Sequence, residues 1–210
     1  MTAATQTQPV TFVPPLAQED QARSDFYAVL ARLWYGAPDR ALLATLAGAE
    51  ELVPEAEQSA VADAWRALAA AAGSADEEAV RLEYDEVFVG VGRAEVSMFA
   101  TAYFTGAFKE RVIVRLRDEL GELGLARAAG AREPEDHFAA LCDVMRHLIA
   151  AGSGASALER QRRFFQHYIE PAYAGFAERA AASPNARFYR SVARFTKAFF
   201  DLEVESFQML

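Results

Sequence analysis

Asp136 and His137 are neighbours in the stretch Glu133-Pro134-Glu135-Asp136-His137. A carboxylate beside an imidazole can move protons, ligate a metal or hold a cationic group, and each of these chemistries makes a further demand on the chain. A metal site needs more ligands at the right spacing. The chain has three histidines, and His137 and His147 stand ten residues apart, about 80° out of phase on one helix, so they cannot chelate together. Asp143 and His147, four apart, share a helical face with Asp136, but no third ligand completes a set, and a solvated row is the expected reading. Covalent catalysis needs an activated nucleophile, yet no G-x-S-x-G elbow or Cys/His pairing is present. Cys142 is the single cysteine, which excludes an intramolecular disulfide. A phosphate loop is equally unsupported. Gly90-Val91-Gly92 lacks the lysine and the preceding strand that such a loop requires, and reads as a helix end and turn. What remains for Asp136 and His137 is recognition, or simply the start of a helix.

The element that would carry them follows directly. Pro134 suits a first helical position, where its missing N–H costs nothing. Glu135 and Asp136 then fall in the first turn, where the helix dipole favours negative charge. Phe138, Leu141, Cys142, Met145, Leu148 and Ile149 recur at helical spacing to about Ala150 and form one apolar stripe. The chain reaches this helix through Gly121-Glu122-Leu123-Gly124 and Ala128-Ala129-Gly130, and the stretch Gly121 to Arg132 is expected to act as a hinge.

The remaining elements are helical too. Residues 1–17, with Pro9, Pro14 and Pro15, read as a flexible tail. A first helix runs from Gln18 to about Tyr35 on Phe26, Val29, Leu30 and Leu33, and a second from Arg40 to Leu46. Pro54 opens a third, with the stripe Val61, Ala64, Trp65 and Leu68. Ser74-Ala75-Asp76-Glu77 has the pattern of a capping box, and the helix after it buries Val80, Tyr84, Val87 and Phe88 while Asp85 and Glu86 face outward. Further helices span about Ala107 to Leu120 and Ala155 to Ile169, where Pro171 kinks or restarts the chain. Ser183-Pro184 supplies a cap and first-position proline for a last helix that buries Phe188, Val192, Phe195, Phe199 and Leu202. The expectation is an all-α, bundle-like domain of about nine helices in two lobes, 18–125 and 126–210.

Composition limits function further. Hydrophobic residues make up 52% of the 210, which supports a folded core over most of the length. A net charge of −9 argues against a nucleic-acid backbone as partner and is compatible with a basic peptide. No apolar run long enough to cross a membrane appears, and no secretory leader, so the expected location is cytoplasmic.

Two blocks then carry a family resemblance. Tyr84-Asp85-Glu86-Val87-Phe88-Val89-Gly90 followed by Ser97-Met98-Phe99, and Glu133-Pro134-Glu135-Asp136-His137, resemble in order and separation the aromatic and Glu-Pro-x-Asp-His segments of the TorD/DmsD/NarJ family of molybdoenzyme maturation chaperones. Phe26 to Trp34 and Phe188-Tyr189 to Phe199 are similar to the family as well, so the resemblance spans about residues 20–205. Two departures stand out. The family's Gly-Pro is Gly90-Val91 here, and the loop Gly92 to Val96 is short and lacks proline.

The resemblance implies a chaperone with no catalytic residue, metal ligand or cofactor of its own. It would bind the apo catalytic subunit of a molybdenum or tungsten oxidoreductase, often through a twin-arginine leader, and hold back export until cofactor is inserted. Carried over residue by residue, peptide binding would involve Tyr84, Val87, Phe88, Glu133, Pro134, Asp136 and His137. The resemblance is compatible with a monomer or a domain-swapped homodimer. Two other classes stay open: a helical small-ligand or regulatory module, and a metal-dependent hydrolase built on Asp136-His137, which would need more His and Asp ligands than the sequence shows.

Overall fold

The computed structural model describes residues 16–49, 58–90, 92–105, 109–126, 133–152 and 154–210. The expected tail over 1–15, the helix start at Pro54, Val91, Phe108 and the 127–132 part of the expected hinge lie outside them. Among the described residues there are nine α-helices and no strand: α1 Gln18–Tyr35, α2 Arg40–Gly48, α3 Ala60–Gly73, α4 Glu77–Tyr84, α5 Lys109–Glu122, α6 Phe138–Ala150, α7 Ala155–Phe164, α8 Glu170–Ala182 and α9 Phe188–Gln208. The all-α expectation holds.

α1 lies at the centre. It packs along α6 on one side and against α9 on the other, while α9 also packs on α8 and α3. Tyr27, Leu30, Leu33 and Trp34 of α1 are fully buried, and they share one core with Leu141 and Met145 of α6 and Phe195 and Phe199 of α9. Trp34 sets the middle of it, edge-on to Phe88 and Phe176 with its indole N–H donating to Thr196 Oγ1 at 3.1 Å. The core therefore runs across the boundary at 125/126.

Wide π-helical turns interrupt the regular helices at Asp85–Val89 and Phe165–Ile169. The second directly precedes Pro171, which has no N–H to extend an α-helical ladder. The first ends at Gly90, whose N–H closes onto Asp85 O at 2.7 Å with φ +64°. A Cβ there would collide with the Arg93 carbonyl, so only glycine fits.

Four local expectations are corrected. Ser74 makes no capping box, because its hydroxyl donates to Ala70 O and Ala71 O at the end of α3. Asp76 is the cap of α4, accepting from Ala79 N at 3.0 Å. Pro134 is not a first helical position and Glu135 and Asp136 are not in the first turn. α6 begins at Phe138, and His137 caps it with Nδ1 accepting from Ala139 N at 3.2 Å. Ser183 likewise does not cap α9, which starts at Phe188. Its free N–H groups are taken by a distant carboxylate, since Glu83 accepts from Arg187 N, Phe188 N and Tyr189 N at 2.9, 3.1 and 2.7 Å. Leu202 is not buried but 44% exposed, and Glu203 occupies the inward position instead. There it accepts from Nε and Nη2 of Arg23, at 2.7 and 2.9 Å, and from the Tyr27 hydroxyl at 2.9 Å. The bidentate pair with Arg23 and the Tyr27 hydroxyl give the buried carboxylate the partners it needs at that position.

Candidate functional site

The two sequence blocks meet in space. Phe99 and His137 form an isolated antiparallel bridge, Phe138 N donates to Met98 O at 3.0 Å, and Ala100 N donates to Asp136 O at 2.9 Å. These two backbone hydrogen bonds, which make the bridge, hold the 97–100 segment against the entrance of α6. The Phe99 ring stands edge-on to the His137 imidazole, with centroids 5.6 Å apart.

Asp136 is the clamp beneath this junction. It is 2% exposed, and its Oδ2 accepts from the Thr101 hydroxyl at 2.6 Å and from Thr101 N at 3.2 Å. Its other oxygen, Oδ1, is buried without a hydrogen-bond partner. The carboxylate therefore faces a short 3-10 turn, Ala100–Ala102, and not the solvent. As a direct partner for an arginine it is badly placed. Its position suits it to fixing the turn that forms the wall above.

Two depressions flank His137. One, about 600 Å³, is lined by Tyr84, Phe88 and Val89 after α4, by Met98 and Phe99, and by Arg93. The other, about 360 Å³, lies between α5 and α6 and is lined by Leu120, Pro134, Glu135, Ala140, Asp143 and Val144, with His147 at its edge. Tyr35, Glu133 and His137 line both. Tyr35, the last residue of α1, is 64% exposed, so an aromatic ring stands at the junction of the two. The result is two adjacent, mainly apolar depressions, the second bearing the carboxylates Glu135 and Asp143, with Glu133 at the edge of both.

The expected site residues divide accordingly. Tyr84, Phe88, Glu133, Pro134 and His137 line the depressions. Tyr84 also donates its hydroxyl to Trp34 O at 3.2 Å, and burial, followed by the charge of Glu133, pushes its pKa up to about 12. Val87 is fully buried and lines neither depression. Its backbone carbonyl accepts from Val96 N at 3.0 Å, which ties the loop after Gly90 to the π-helical turn. Glu135 pairs with Arg117 of α5 at 3.1 Å, and Asp143 with Arg146 at 2.9 Å. Burial lowers the His137 pKa, against the opposing charges of Glu133 and Asp136. Among the described residues, no group of three or more His, Cys, Asp or Glu side chains is placed to hold a metal ion. Asp136, Asp143 and His147 do not form the shared face expected of them, because Asp136 precedes the helix and turns inward.

Sequence reasoning missed Tyr35, Arg93 and Thr101. Tyr35 had only its place before Gly36 as a signal, and Thr101 had none, since its partner lies 35 residues away.

With this geometry, the family comparison is direct. A model of the nitrate reductase delta subunit family matches residues 54–178, more than half of the chain. The chain belongs to that family. It is thus a NarJ/TorD-type protein, from a family of redox-enzyme maturation chaperones and not of catalysts. No curated protein matches its sequence significantly. Among solved structures it resembles that of a candidate redox enzyme maturation protein from Archaeoglobus fulgidus, at 14% identity and a TM-score of 0.57, over 93% of this chain and 99% of that one. At that identity the likeness concerns the fold. No described helix of this NarJ/TorD-type chain is long and apolar enough to cross a membrane.

Proposed function

We propose that this protein is a system-specific chaperone for the apo catalytic subunit of a molybdenum or tungsten oxidoreductase. It engages the subunit through its twin-arginine leader in the cytoplasm, and so assists cofactor insertion and export proofreading. The observation that carries this reading is the pair of neighbouring depressions that share Tyr35, Glu133 and His137, one lined by aromatic residues and the other bearing carboxylates. A leader joins two arginines to an apolar stretch. Arginine forms charge-assisted, bidentate bonds with carboxylates such as Glu133, Glu135 and Asp143. The apolar stretch gains roughly 25 cal/mol per Å² on covering the surface around Tyr84, Phe88 and Phe99. The acidic chain speeds encounter with a basic segment.

Calorimetry with the leader of an oxidoreductase encoded beside this protein tests the reading. Expected is a dissociation constant on the order of micromolar that weakens as salt rises. Equal affinity for a leader with both arginines replaced by alanine would remove the carboxylates from the account. No binding of any leader, together with a small molecule that stays with the purified protein, would favour a ligand-binding module instead.

The assembly we propose is a monomer that can exchange residues 126–210 with a second copy through the connection at 121–132. Such an exchange would preserve the α1–α6 and α3–α9 packing between chains. Chromatography with light scattering over a wide concentration range should give one and two chain masses only. A monomer at every concentration would exclude the exchange.

A further inference from the structure

A basic cleft lies apart from the leader depression, where α5 crosses the π-helical turn 165–169. It encloses about 390 Å³ between Arg111, Val112 and Arg115 of α5, His167 and Tyr168 of the turn, and Phe104 and Pro171 at its ends. Arg111 and Arg115 are four residues apart and so project from the same face of α5. Among the described residues neither has a carboxylate within ion-pair distance. The nearby acid, Glu119, is already engaged, accepting from the Tyr168 hydroxyl at 2.8 Å and pairing with Arg163 at 3.4 Å. Arg115 instead points a nitrogen at the half-buried His167 ring, 3.1 Å from Nδ1 and 3.3 Å from Nε2. Two like charges one turn apart repel each other, and a chain of net charge −9 has abundant carboxylates with which to neutralise them. Two arginines without an ion-pair carboxylate among the described residues, beside a cavity of small-molecule size, are the arrangement expected of an anion site.

We propose that this cleft binds a small phosphorylated ligand, with Arg111 and Arg115 holding the phosphate and the Phe104–Val112–Pro171 wall covering its apolar part. Guanidinium forks match phosphate oxygens in pairs, and Arg115 is placed to exchange its contact with the imidazole for one with the anion. His167 would then become a second donor. In the free protein its pKa is lowered by burial and by Arg115 and Arg163, with Glu119 opposing, so the ring is neutral near pH 7. An anion beside it reverses the balance. Binding takes up a proton and strengthens as pH falls toward 6.

The test uses the full chain and inorganic pyrophosphate in calorimetry, with His167 ring titration followed by NMR. Expected are saturable one-to-one binding, an upward move of the His167 titration, and at least a tenfold weaker affinity in the double variant Arg111→Gln, Arg115→Gln. Arg40→Gln, at an exposed position that starts α2, serves as a charge control and should bind as the parent does. His167→Gln gives an independent reading and should lose the pH dependence of binding while keeping part of the affinity. Inorganic phosphate in a parallel arm separates a monophosphate from a diphosphate preference, either of which supports the site. No saturable binding, an unmoved His167 titration, or equal weakening in Arg40→Gln would overturn the proposal. So would an oligoglutamate peptide that binds more tightly than pyrophosphate, since that would mark a surface for an acidic protein. The proposal stands independently of leader binding.

Discussion

The Glu83 carboxylate accepts the backbone N–H of Tyr189 at 2.7 Å, 106 positions further along the chain. The same carboxylate also takes Arg187 N and Phe188 N, so one buried side chain of α4 satisfies three successive N–H groups at the start of α9. An anion there is favoured by the helix dipole as well as by the hydrogen bonds. Glu83→Ala should leave buried N–H groups without partners and cost on the order of 1–3 kcal/mol. Glu83→Gln keeps one acceptor and should cost about 1 kcal/mol. Urea unfolding of the three proteins measures this, and equal stability of Glu83→Ala and the parent would contradict it.

Asp136 and Thr101 offer a similar test at the site. If the carboxylate fixes the turn over Ala100–Ala102, Asp136→Asn and Thr101→Val should each destabilise by about 1–3 kcal/mol. Their effects should not add, because each removes the same contact. Leader affinity of the folded Asp136→Asn variant should then fall only through the shifted wall. A loss of binding at unchanged melting temperature and unchanged double-mutant coupling would instead make Asp136 a direct contact.

His137 makes the start of α6 sensitive to acid. Its Nδ1 accepts from Ala139 N, which requires an unprotonated nitrogen, and burial lowers its pKa below the ordinary value of 6.5. A folded pKa below the unfolded one means that the unfolded chain binds more protons in between. The contribution is therefore fully present above pH 6.5 and is lost as pH falls toward the lowered value. His137→Asn retains a capping oxygen and does not titrate. Its melting temperature should fall less than that of the parent between pH 7.5 and 5.5. Parallel curves for the two proteins would show that the acid sensitivity arises elsewhere, with His167 the next candidate because its pKa is lowered too.

Val87 and Phe88 are adjacent but differently placed, and their truncations should separate stability from binding. Val87→Ala removes fully buried methyl groups and should cost on the order of 1–3 kcal/mol while folded protein binds leader normally. Tyr84→Phe loses the bond to Trp34 O, about 1 kcal/mol, and keeps the aromatic surface facing the depression. Phe88→Ala should lose both stability and affinity, since its ring packs on Trp34 and Tyr189 and also lines the depression. Equal affinity losses in Val87→Ala and Phe88→Ala would place the peptide elsewhere.

What the sequence by itself determined was periodic and local. α1 could be read from Gln18 to Tyr35 because its apolar residues recur every three or four positions, and the stripe Phe138 to Ile149 of α6 is buried as its spacing requires. The pairing of two short blocks also identified the family, because order along a chain is itself sequence information. Helix starts were decided otherwise. Ser74 and Ser183 have good capping chemistry and Pro134 suits a first helical position, yet Asp76, His137 and the remote Glu83 hold those ends. A cap is chosen by which acceptor the packed core brings within about 3 Å, and propensity cannot register a partner across 106 residues. The same reason explains Asp136. Its type announced a charged recognition group, but only the fold turned it inward onto Thr101 and left Glu133, Tyr35 and the aromatic wall to line the depression.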